Sequence, residues 1–160
     1  MNDLRFAVKT QLLFEPPDGR VPQCPLCPER TGNPFSAHNP AVHMHEIIMP
    51  HLKGSKYHPE LDNDLAKAVY VRENCILLCA QCNVNFANSY PKDKMLAVKM
   101  GMPGYTPMQV VTAMQTIASH LKNPLSYVPL SVDYEGVTYQ ILEEAQCPRS
   151  VLIVSLPSQL

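Results

Sequence analysis

The chain has no stretch of about 18 consecutive apolar residues, which argues against a membrane-spanning helix. Its opening, "MNDLRFAVKT", lacks a long apolar core and a small-residue cleavage site, so no signal peptide is expected. Internal repeats and low-complexity tracts are missing too, which removes solenoids and disordered tails. Excess charge is likewise absent: the formal net charge is -1, so no global positive field points to nucleic acid. Only six glycines stand against sixteen prolines, a balance that favours rigid loops and short elements.

What is present is a globular composition. Hydrophobic residues make up 46% of the 160 positions and charged residues 17%, enough for one domain with a modest core. Charge is split unevenly. Residues 1–100 carry eleven Lys/Arg against ten Asp/Glu, and residues 101–160 carry two against four. Any contact with nucleic acid must rest on local placement of Arg20, Arg30, Lys53, Lys56, Arg72, Lys92 and Lys94, most of which read as ordinary surface charges. With neither leader nor span, the expected setting is cytoplasmic and reducing, where cysteines favour metal or chemistry over disulfides.

The order of elements predicts an α+β fold. Residues 1–20 read as a short strand or helix followed by the turn "EPPDGR". "CPLC" forms a proline-rich knuckle, and residues 28–40 are loop-like. "AVHMHEIIMP" reads as a short strand ended by Pro50. "HPELDNDLAKAVYVREN" reads as a helix opening near Pro59, "CILLC" as a short strand, and "AQCNVNFANS" as the start of another helix. "YPKDKMLAVKMG" predicts a helix between Pro91 and Gly101. After Gly101, Thr106-Pro107 supplies an N-cap and a first-turn proline. Met108, Val111, Met114, Ile117, Ala118 and Leu121 then recur at helical spacing as a core stripe. "SYVPLSVDYEGVTYQIL" predicts a hairpin turning near Glu135-Gly136, and "SVLIVSL" a third strand. The division is therefore 1–100, with a motif core at 20–90, and 101–160, a helix plus small β-meander containing no chemically suggestive cluster.

The chemistry concentrates in two C-x2-C pairs, Cys24 with Cys27 and Cys79 with Cys82. Two such knuckles deliver the four tetrahedral thiolates that zinc prefers, with a long insertion between them. Disulfides or a redox pair are the alternative; a redox pair needs only one motif and a βαβ context. Four thiolates close the shell, so this zinc staples the fold and does not catalyse. Cys75 reads as a buried small residue, and Cys147 has no assigned role. The insertion supplies His43, His45 and Glu46 in one strand, with His38 and His51 flanking it. His58 and His120 read as structural or surface residues.

A C-x2-C, a His-bearing strand ending in "EIIMP", and then N-x4-C-x2-C-N together resemble the HNH endonucleases, also called His-Me finger or ββα-metal nucleases, in their zinc-stapled subgroup. The resemblance covers roughly residues 20–90, and "NCILLCAQCN" carries most of it. It implies a zinc-stapled ββα-metal core and a DNA phosphodiester hydrolase, with a histidine base and one Mg2+ or Mn2+ ion. Position by position, Asn74 matches the asparagine that ties the loop between the two strands and orients the base. Asn83, at the head of the helix, matches a ligand of the catalytic ion. The strand "HMHE" departs from the usual Asp-His or His-His. With His45-Glu46 as the pair, His45 binds metal and a glutamate stands at the base position. With Met44-His45, His45 is the base, and Glu46 or His43 must help bind the ion. The preferred assignment makes His45 the central catalytic histidine, with His43, Glu46 and Asn83 as metal partners.

The implied partner is DNA, for a phage-type or mobile-element protein, with the C-terminal region docking a partner protein or a second copy. A zinc-stabilised module that binds without cutting is the competing expectation, favoured by the low charge. A plain zinc ribbon needs neither the asparagine spacing nor the paired histidines.

Overall fold

The computed structural model describes residues 2–17, 19, 23–26, 42–50, 63–85 and 89–143. Among them the fold is mixed α+β, with five α-helices and two antiparallel strand pairs. Helix α1 spans Asn2–Phe14, strand β1 Val42–Glu46, α2 Asn63–Val69, β2 Cys75–Cys79 and α3 Ala80–Asn85. They are followed by α4 (Lys92–Met100), α5 (Pro107–Ser119), β3 (Ser131–Tyr134) and β4 (Val137–Gln140). The expected third strand, the helix opening at Pro59 and Cys147 lie outside the described residues.

β1 pairs with β2 in a register that sets Val42 opposite Cys79, His45 opposite Ile76 and Glu46 opposite Cys75. Val42 and Met44 point into the core, while His43 and His45 alternate to the other face and stay half-buried. The outer edge of β1 is not left bare. Lys9 donates to the Val42 carbonyl at 3.2 Å and Arg5 to the Met44 carbonyl at 3.1 Å. Four residues apart on α1, they face the same way and cover carbonyls two residues apart on the strand.

Both elements flanking Asn74 are shorter than the sequence predicts, for one reason. The residue is fully buried, and its Nδ2 donates to Ile48 O at 2.8 Å and to Val69 O at 3.0 Å. Its Oδ1 accepts from Ile48 N at 2.9 Å. These bonds occupy the backbone groups through which β1 would continue past Glu46 and α2 past Val69. The segment read as one helix to Asn74 therefore breaks at Tyr70, with Val71 extended before a 3-10 turn at Arg72–Asn74.

The later elements follow their punctuation. Thr106 and Gln109 form a reciprocal capping box on α5. β3 and β4 turn through Glu135 and Gly136 at φ 50° and 79°, the left-handed pair of a tight hairpin. Gly101 ends α4 where an added Cβ would lie 2.9 Å from the Tyr134 hydroxyl oxygen. The α5 stripe needs one correction: Met108 is 57% exposed, and Val110 takes the inward position. At about 100° per residue Met108 lies roughly 120° round the helix from Met114. One continuous core joins α1, the β1–β2 pair, α4, α5 and the β3–β4 hairpin.

That core contains a lysine. Lys99 is fully buried, donates to Cys75 O at 2.6 Å and sits 4.0 Å from the centroid of the Tyr105 ring. Burial pulls its pKa from 10.5 down to about 7. Between those values the unfolded chain binds more protons than the native one, so stability rises with pH. Urea unfolding at pH 7 and pH 8.5 should show a gain on the order of 2 kcal/mol in the wild type. Lys99→Met should lose that gain; an identical slope in the variant would place the ammonium outside the core.

Candidate functional site

Two sets of side chains meet around the β1–β2 pair. The first is the thiol cluster. Cys79 ends β2, Cys82 lies in the first turn of α3, and Cys24 comes from the turn at 23–26. Their three sulfur atoms lie within 4.8 Å of one another. Thiolates at tetrahedral corners about 2.3 Å from one zinc stand about 3.8 Å apart, so the spacing fits a zinc ion. Cys82 N lies 3.4 Å from Cys79 Sγ as its donor, a contact that favours the thiolate. Cys27, the expected fourth ligand, lies outside the described residues. Cys75 stands apart: fully buried, with its Sγ 3.8 Å from Val69 O, its thiol is pushed up first by burial and then by Glu46.

The second set occupies the outward face of β1. His43 Nδ1 and Asn83 Nδ2 are 2.9 Å apart, so the strand and the middle of α3, which opens three residues earlier at Ala80, are joined side chain to side chain. His45 shares the face with His43. Its Nε2 is buried and has no hydrogen-bond partner among the described residues. Burial, and then the positive charge of Lys92, hold its pKa at about 4, so the ring is neutral at neutral pH. Glu46 is not gathered with these groups. Strand alternation turns it to the opposite face, where its Oε1 accepts from Arg5 Nε at 2.9 Å. On that side Tyr70 is pushed up to about 12, by burial first and Glu46 second. No family model matches this chain. Comparison with curated proteins and with solved structures gives no significant match.

The structure thus brings together His43, His45 and Asn83 on one face and Cys24, Cys79 and Cys82 at its end. Asn74 supports both strands from within, and Glu46 is separated. His38, His51 and His58 lie outside the described residues, and His120 is exposed just past the end of α5. Sequence reasoning missed Arg5 as the partner of Glu46. The signal was the Arg5–Lys9 pair at one helical turn, which needs an acceptor surface. It also left Lys92 among seven undifferentiated cations, because nothing local tells a half-buried lysine from an exposed one.

Two outcomes test this arrangement. Protein purified under reducing conditions should carry about one zinc per chain by elemental analysis, and Cys79→Ser should lose it and melt earlier. A metal-free wild type that gains no stability from added zinc would remove the staple. Asn74→Ala strands Ile48 N and Ile48 O in the core and takes from Val69 O one of its donors, and should cost on the order of 3 kcal/mol in urea unfolding. A loss below about 1 kcal/mol would mean that water replaces the amide.

Proposed function

We propose that this protein is a divalent-ion-dependent endonuclease of the HNH type that hydrolyses DNA phosphodiester bonds. The observation that carries the reading is the joining of His43 to Asn83 beside a buried, unpartnered His45 Nε2. Those are the residue types that a hydrolytic site of this class needs, on adjoining elements of a strand pair and the following helix.

His43 and the Asn83 amide oxygen are the groups that could hold the ion on this face. These two neutral donors would leave the rest of an ion's shell to water and substrate phosphate oxygens, so the ion would bind together with substrate. The bound ion supplies Lewis-acid stabilisation of the phosphoryl and leaving oxygens. With Glu46 engaged by Arg5, the base is His45. A neutral imidazole accepts the proton of the attacking water as its oxygen bonds to phosphorus. The P–O3′ bond breaks, and the 3′ oxygen takes a proton from solvent. Anionic substrate next to the ring would raise its low proton affinity toward the working range. Asn74 serves by holding Ile48, which limits the freedom of the strand end carrying His45 and Glu46.

Supercoiled plasmid with Mg2+ or Mn2+ should be nicked or linearised by the wild type, and at least about 100-fold more slowly by His45→Ala. His43→Ala should be rescued in part by raised ion concentration, as a ligand loss would be. Absence of cutting with either ion, alongside retained DNA binding, would instead make the chain a zinc-stabilised binding module.

A further inference from the structure

Helix α5 carries no charged residue. Helix α1, of the same length, carries Asp3, Arg5 and Lys9. The exposed residues of α5 are Met108, Gln109, Thr112, Gln115, Thr116 and Ser119. At about 100° per residue they fall within an arc of about 120°, which makes them one continuous face. The polar groups of that face are largely engaged inside the chain. Gln109 belongs to the capping box, and Gln115 Nε2 donates to Ile141 O at 3.4 Å. Thr116 Oγ1 donates to Thr112 O at 3.0 Å, and Ser119 Oγ to Thr116 O at 2.6 Å. A face without charge, whose donors are already bonded, loses little when water leaves it.

The same face borders a groove of about 670 Å3 between α5 and α2. Ala68, Val71, Met108 and Ala113 supply its apolar lining. Asp64 and Lys67 line it too; they are exposed and lie three residues apart on α2. Neither has a hydrogen bond or ion pair among the described residues. Interfaces divide in this way, with charge depleted at the centre, methionine enriched there, and a polar rim around it. The signs on the rim select the occupant. Half-buried Glu73 is a second acid in the lining, so Asp64, Lys67 and Glu73 leave the groove net negative and a poor seat for DNA. A partner of one sign would set either Asp64 or Lys67 against its like. A two-fold axis lays a surface on itself, so a self-docking rim must offer both signs, as Asp64 and Lys67 do. The net charge of -1 gives two copies little to repel each other.

We propose that a second copy of this chain docks on the α5 face about a two-fold axis. Met108 of each copy enters the groove of the other, and Lys67 of each copy pairs with Asp64 of the other. Met108 is 57% exposed in the single chain, so its burial is gained only on association. One helix face and one groove supply fewer than the roughly 20–30 residues a side of a standard interface, so the dimer is weak and depends on concentration. The inference stands on surface chemistry and is independent of the endonuclease reading.

Sedimentation velocity of the full chain, with zinc and reductant so that no intermolecular disulfide contributes, should show a monomer–dimer equilibrium between roughly 5 and 500 μM. Met108→Glu would place a carboxylate in the apolar groove and should raise the dimer Kd at least about 10-fold. Lys67→Glu and Asp64→Lys each set like charges together twice in their own dimers, and each should raise Kd about 5-fold. An equimolar mixture of the two variants restores both ion pairs across the axis and should dimerise as the wild type does. A wild type that stays monomeric at the highest concentration overturns the proposal. A dimer that a folded Met108→Glu leaves unchanged overturns it too, since the contact would then lie on another face. Should Met108→Glu fail to fold, the mixture carries the test, and mixing that tightens neither variant overturns the docking.

Discussion

A carboxamide has one acceptor and two donor hydrogens, and the three partners of Asn74 use each of them. The side chain has no water to turn to, because it is fully buried. Two carbonyls and one N–H around it also fix which end of the amide is oxygen. The same residue accepts Ile47 N on its own carbonyl at 2.8 Å. One position therefore stops β1, stops α2 and starts β2. Everything outward of it, including the histidine face and the thiol cluster at the other end of β2, depends on where those three elements part.

Around that point the two faces of β1 are kept chemically distinct. On one side Arg5 neutralises Glu46 and, with Lys9, covers the strand edge. That engagement keeps a carboxylate away from the histidines. Helix α4 carries two lysines seven residues apart, which lie near one face of the helix. Lys99 is anchored by a backbone carbonyl and an aromatic ring, whereas Lys92 has neither.

Features set by local punctuation were legible in the sequence. The strand Cys75–Cys79, the Thr106 cap, the helix between Pro91 and Gly101, and the turn at Glu135-Gly136 all stand where their residues predict. Each depends on backbone preferences acting over four or five residues. The features that escaped are long-range. α2 ends at Val69 because an amide five residues later captures its carbonyl, and Glu46 turns away from the histidines because an arginine 41 residues earlier engages it. Lys99 was hidden differently. It falls among Met95, Leu96 and Met100 on the inward stripe of α4, where pattern alone predicts an apolar residue. At the site, residue types were readable, but the engagement of Glu46 by Arg5 needed the strand's neighbours.

The thiol cluster and the histidine face are mechanically one object. Cys79 ends β2, Cys82 is three residues on in α3, and Asn83 follows it directly. Ser or Ala at these cysteines would leave the six-residue α3 to its packing on the two strands, since so short a helix has no stability of its own. An ion drawing the three sulfurs together would help fix the rotation of α3, and with it the contact of the Asn83 amide with His43. A metal that takes no part in chemistry can in this way determine the geometry of the residues proposed to do it. The adjacency of Cys82 and Asn83 in "CAQCN" is then a mechanical requirement: moving the asparagine by one position would turn it about 100° around α3 and away from the strand.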